Sequence, residues 1–162
     1  MTLPARLADA RSLTFWLSKI GGEMLDAAGV EVLDSAECSR LLTTVSIGRV
    51  IFTDRALPNV VLVNFVFHNG MIVLPAAKGS KLSTAVRNAV VAFEVDDFDI
   101  KTWTGWSVTV LGRARLVCGG DELTTLSTLD LRNPEPGYGQ QFVAISADIL
   151  NGRRRAAKHG EA

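Results

Sequence analysis

From Ser46 onward the chain is written in short runs of Val, Ile and Phe with turn residues between them: "SIGRVIFT", "NVVLVNFVF", "MIVLP", "VVAFEV", "WSVTVLGRARLV" and "QQFVAISADIL". Branched and aromatic side chains favour a pleated, half-buried backbone, so each run predicts a strand. About six short strands in an antiparallel pattern favour a small barrel over a doubly wound parallel sheet. Between two of them stands His68-Asn69-Gly70-Met71, and Asn-Gly there predicts a two-residue type I′ hairpin. That register sets His68 opposite Met71, Phe67 opposite Ile72, Val66 opposite Val73, Phe65 opposite Leu74 and Asn64 opposite Pro75.

Helices are few and short. Asp34 followed by Glu37 has capping-box spacing and opens a helix through Leu41 and Leu42. Ser80 to Asn88 puts Leu82, Ala85 and Val86 on one face, and Asp121 to Asp130 predicts a further helix. Near the N-terminus Leu3, Leu7, Ala10, Leu13, Leu17, Ile20 and Met24 recur at helical spacing until Gly21-Gly22 interrupts or ends the stripe. Such a stripe packs on the domain's own core, on a partner subunit or on a membrane surface. The chain therefore divides into an N-terminal helical extension over 1–33, a domain over 34–155 and a polar tail over 156–162.

With 162 residues, 48% of them hydrophobic, one domain with a true core is expected. Lys plus Arg number 17 and Asp plus Glu number 17, so no global field draws the chain to nucleic acid or anionic lipid, and any anion site must be local. Cys38 and Cys118 form neither a disulfide framework nor a metal-ligand pattern, which fits a reducing cytoplasm. No apolar run approaches the roughly 20 residues a bilayer demands, and Asp9 and Arg11 interrupt the region a signal peptide would keep apolar.

The stretch "PAAKGSKL", Pro75 to Leu82, is the candidate anion loop. Gly79 permits a tight turn, Ser80 as an N-cap would leave free N–H groups behind it, and Lys78 and Lys81 bring charge. The spacing is not that of a Walker loop, and the same four residues also suit a solvated strand-to-helix connection. Asp96, Asp97 and Asp99 read as turn formers in a polar connection, with no metal assigned. His68 reads as a turn residue, Trp106 as core or pocket wall, and Arg153, Arg154, Arg155 and Lys158 as a basic tail, either solvated or functional. With two histidines, one of them His159 in the tail, no catalytic triad is built and hydrolysis is not expected; no catalytic residue is assigned.

The motifs "SIGRV", "VNF", "KGSKL", "AFEVDDFD", "GWSVTVLGRA" and "FVAISADILNGRR" follow one another in this order. In that order the chain resembles the pyridoxamine 5'-phosphate oxidase-like, flavin-binding split-barrel proteins, particularly their small actinobacterial-type members, over residues 34–155. The resemblance implies a six-stranded antiparallel split β-barrel forming a homodimer, with FMN, or in some branches a deazaflavin, in clefts between subunits. It implies that Arg49, Val50, Val63 and Asn64 line the flavin ring, with Asn64 either bonding the ring edge or simply ending a strand. It assigns Lys78, Gly79, Ser80 and Lys81 to the phosphate, Trp106 and Ser107 to the ring pocket, and Arg153, with Arg154 beside it, to the partner's cofactor. The function implied is a cytoplasmic FMN-dependent oxidoreductase acting on a small substrate, in which the cofactor carries the chemistry. Pro75 and Ala76 stand where relatives commonly carry phosphate donors, and Asn151 where a small hydroxyl residue is usual. These departures favour an alternative, a non-catalytic ligand-binding or sensing barrel; a deazaflavin-dependent reductase is a third reading.

Overall fold

The computed structural model describes residues 25–26, 30–131 and 141–156. The expected leader stripe, Leu3 to Met24, therefore lies outside the described residues, and so does Lys158. The fold is mainly β. Strands β1 (Glu31–Leu33), β2 (Ile47–Asp54), β3 (Leu57–Asn64), β4 (Val66–His68), β5 (Met71–Ala76), β6 (Val90–Asp99), β7 (Thr104–Val117), β8 (Gln141–Ser146) and β9 (Ile149–Arg155) alternate with three short helices. These are α1 (Ser35–Leu42), α2 (Lys81–Ala85) and α3 (Gly120–Leu126). Every strand pair is antiparallel, in the order β3-β2-β6-β7-β8-β5-β4, with β9 on β7 and β1 on β9. The sheet curls into a split barrel that does not close.

The 14 residues of β7 are its spine. Gly105 to Leu111 pair with β9 and Ala114 to Val117 pair with β8, so one strand serves two sheets and must bend between them. At the bend a Cβ on Gly112 would stand 1.6 Å from the Ser146 carbonyl oxygen, so only glycine lets the backbones approach. The Arg113 amide donates to Ser146 Oγ at 3.0 Å and fixes the corner. On the concave side Val50, Phe93, Val95, Val108, Val110, Ile72, Leu74 and Ile145 are fully buried. Phe65 joins them edge-on to Phe93, ring centroids 4.7 Å apart, a geometry contributing about 0.5–1.5 kcal/mol beyond area burial.

Several local expectations hold. The Glu37 amide donates to Asp34 Oδ1 at 2.8 Å, so Asp34 caps α1. Asn69 and Gly70 both take positive φ, and the hairpin pairs His68 with Met71, Phe67 with Ile72 and Val66 with Val73. Beyond that the expected register stops. The chain leaves the ladder at Phe65 to bury its ring, its amide donating to Ser46 O at 3.0 Å, so Asn64 pairs with Ile47 and Pro75 with Phe142. Two of the six expected runs are thereby divided: "NVVLVNFVF" into β3 and β4 at Phe65, and "QQFVAISADIL" into β8 and β9 at Ala147-Asp148. Asp96, Asp97 and Asp99 are strand residues of β6, not a polar connection, because β6 and β7 stay paired as far as Asp99 and Thr104. The sheet also takes in Glu31–Leu33, upstream of residue 34, through pairing with β9.

Replacing Gly112 with Ala forces a methyl group into backbone rather than into a yielding side chain. Urea unfolding of Gly112→Ala is expected to show a loss of about 2–3 kcal/mol or failure to fold; a midpoint equal to wild type would contradict the close approach at the corner.

Candidate functional site

Across an antiparallel sheet, register partners share a face. On the convex side this builds an unbroken apolar row over five strands: Val60, Ile51, Ala92, Leu111 and Ile149. Val60 is 62%, Leu111 36% and Ile149 51% exposed, so nothing among the described residues covers the row. Leu62 and Ile47 extend it and are exposed as well. Four strand spacings make it roughly 19 Å wide, large for a patch left to water.

A polar row runs beside it. Leu62, Arg49, Glu94, Thr109 and Asn151 follow in register, and one pleat further lie Ser107 between Asp96 and Arg153, with Asn64 across from Ile47. Thus Arg49, Asn64, Ser107 and Arg153, drawn from four strands, share one face. Arg49 Nη1 donates to Glu94 Oε2 at 2.8 Å and also to Asp96 Oδ1. The bonds to Asp96 and Glu94 raise an already high guanidinium pKa, so Arg49 stays charged and is tied to β6. Arg153 is held in the same manner, Nη1 lying 3.1 Å from Asp26 Oδ2.

The concave side receives others of the expected set. Val50 is fully buried, so its side chain meets only the core. Val63 and Trp106 pack against that core, and Trp106 pairs with Asp97 and Arg154. Arg154 is bound to Glu31 at 3.4 Å and to Glu37, which ties β9 to α1. Arg153 and Arg154 are therefore strand residues with partners, not a solvated tail. Glu37 accepts from Arg40 and Arg154, and these bonds lower its carboxyl pKa to about 2.

The loop "PAAKGSKL" divides. Pro75 and Ala76 belong to β5 and lie buried in the ladder, presenting nothing to a ligand. Lys78 and Gly79 form an exposed turn, Gly79 at φ +77°, which a side-chain-bearing residue adopts only with strain. Ser80 is the N-cap of α2, its Oγ accepting from the Ser83 amide at 3.1 Å. Lys81 turns back onto the tip of the β2–β3 hairpin, Nζ 3.6 Å from Asp54 Oδ2 and 3.4 Å from Asn59 Oδ1. Asp54 is five residues along β2 from Arg49, roughly 17 Å at strand rise, so the loop and the polar row are neighbouring regions rather than one pocket.

Comparison with known proteins decides the family. The pyridoxamine 5'-phosphate oxidase profile matches residues 34–154. The chain belongs to the pyridoxamine 5'-phosphate oxidase-like family. It is similar to the Mycobacterium tuberculosis protein Rv0080, 36% identical over 137 residues that cover 81% of this chain and 89% of that one. Among solved structures it is similar to the FAD binding protein from Mycobacterium smegmatis, 33% identical over 76% of this chain and 95% of that chain, with TM-score 0.65. A conserved protein from Corynebacterium diphtheriae is 28% identical, covers 78% of this chain and 98% of its own, and has TM-score 0.66. Glu94 and Asp96, which hold Arg49 on this face, were not among the residues expected there from the sequence. Their alternation with Val95 in β6 was the available signal, since alternation puts both carboxylates on the face opposite the core.

The Glu37 tie carries a sign. A carboxyl whose folded pKa lies near 2, below its ordinary value of 4.5, adds stability that is complete above 4.5 and is lost as pH falls toward 2. The stability difference between wild type and Glu37→Gln, read from urea midpoints, is expected to be constant above pH 5 and to shrink from pH 4.5 to 2; a gap that does not shrink contradicts the Arg40 and Arg154 bonds.

Proposed function

We propose that this chain is a flavin-binding homodimer that works as an oxidoreductase, its convex sheet face serving both as the subunit seam and as the wall of the cofactor cleft. The observation that carries this reading is the register that gathers Arg49, Asn64, Ser107 and Arg153 beside an exposed apolar row. A flavin ring is flat and apolar on its faces and polar along its edge, and a surface with adjoining apolar and polar rows fits both. The FAD binding relative from Mycobacterium smegmatis supports a flavin, and the resemblance of "KGSKL" to a flavin phosphate loop supports FMN as the minimal cofactor.

When bound, the flavin supplies transfer of a hydride or electron pair. The protein's own residues do the rest. The apolar row excludes water when a second copy covers it. Arg49, already fixed by Glu94 and Asp96, offers its remaining N–H groups without first losing rotamer freedom, and Ser107 adds a hydroxyl that either donates or accepts. Lys78 and Lys81 hold the phosphate end. Burial of Pro75 and Ala76 in β5 means that their lack of donors removes nothing from the loop, which weighs against the non-catalytic reading.

Leu111 sits at the centre of the apolar row and makes no part of the core, so Leu111→Asp should fold. Sedimentation velocity is expected to give a dimer for wild type and a monomer for the variant, with flavin affinity, followed by fluorescence quenching, at least tenfold weaker in the monomer. A monomeric wild type that binds flavin, or a protein indifferent to every flavin, would sink this reading.

A further inference from the structure

Among the described residues two polar side chains are buried, Gln141 at 7% exposure and Ser83 at 2%. Both bond to the same short turn. Gln141 Nε2 donates to Ala77 O at 3.1 Å, and Ser83 Oγ donates to Ser80 O at 2.9 Å. Ala77 and Ser80 are the first and last residues of the turn that carries Lys78 and Gly79, so the two buried polar groups fasten its two ends.

The turn is closed by its own bond, the Ser80 amide donating to Ala77 O at 3.1 Å, with Gly79 at φ +77°, the sign a type II turn requires at its third residue. Ala77 O thus accepts twice and uses both lone pairs. The second of these bonds comes from a residue 64 positions away. Ala76 and Gln141 are the last pair of the β5–β8 ladder, and the Gln141 side chain adds one bond beyond it, where β5 gives way to the turn. Which end of the amide faces Ala77 follows from its chemistry. A carbonyl only accepts, so the NH2 end points at it, and Oε1 is left to accept from the Cys118 thiol, whose Sγ lies 3.6 Å away. Reversing the amide would set carbonyl against carbonyl and leave a buried group unmet.

Lys78 lies inside the turn and Lys81 directly after it, so the backbone held by Gln141 and Ser83 sets where both cationic stems begin. A turn already fixed presents its charges to an anion without first being ordered, which removes part of the cost of binding. We propose that Gln141 and Ser83 are positioning residues for the anion end of the cofactor: they hold Ala77 to Ser80 in the shape that presents Lys78 and Lys81 to a phosphate, and touch no part of the ligand themselves. The proposal rests on the flavin reading above and adds to it two buried residues, neither in the phosphate set that the resemblance assigns, through which phosphate affinity is set.

The test titrates the full-length protein and its variants with FMN and with riboflavin, which lacks the phosphate, following flavin fluorescence. Gln141→Met keeps the length of the side chain and removes both of its bonds, and Ser83→Ala removes the hydroxyl while keeping a good helix former. Each is expected to weaken FMN about fivefold or more and riboflavin less than about twofold, a split that a general loss of stability does not produce. Wild type supplies a reading that needs no variant to fold: in isotope-labelled protein followed by NMR, FMN is expected to shift the Gln141 side-chain amide and the Ser80 backbone amide, and riboflavin to leave both in place. FMN bound as tightly by both variants as by wild type, equal losses of FMN and riboflavin, or amides that stay put under saturating FMN overturn the positioning role and leave the flavin reading standing. A wild type that binds neither flavin overturns both.

Discussion

Everything in this fold hangs on the backbone contact between Gly112 and Ser146. Because β7 comes so close to β8 there, one strand turns from a sheet shared with β6 and β9 into a sheet shared with β8 and β5. The bend makes the core concave and the other face convex. On the concave side Phe93, Phe65 and the buried valines use the enclosed space, and on the convex side the same alternation exposes Val60, Leu111 and Ile149. The apolar row is thus a product of the barrel's curvature and of strict two-residue periodicity, not of loops.

That origin explains how the site is organised. Rows of register partners deliver residues from distant parts of the sequence to one plane, so Arg49, Glu94, Ser107 and Arg153 meet without a contiguous motif. The two carboxylates of β6 neutralise and fix Arg49, and Asp26 does the same for Arg153, which leaves the convex face ordered but close to electrically balanced. Positive charge without such close matching lies instead around the hairpin tip and the Lys78–Lys81 turn.

Local chemistry was legible in the sequence. Asn69-Gly70 specified its turn and three cross-strand pairs, Asp34 its helix cap and Ser80 its own, because each depends on atoms within a few residues. What resisted reading depends on closure. Nothing near Phe65 announces that its ring leaves the ladder to meet Phe93, and three residues of β1 carry too little pattern to reveal their partner more than 100 positions away in β9. The same holds for Arg49, whose partners lie 45 and 47 positions downstream, and for Asp96 and its neighbours, whose composition suits turns but whose pairing with β7 makes them strand. Tertiary register overrode local propensity at those places.

In the function proposed above, the convex face, not the barrel interior, meets cofactor and partner. Amide hydrogen exchange with and without saturating flavin reads this directly. Added protection is expected in the segments of β2, β6 and β7 that carry Arg49, Asp96 and Ser107, and in the Lys78–Lys81 turn, with no change in the already buried β5. Protection confined to β4, α3 and β8, with the convex strands exchanging as before, would contradict it.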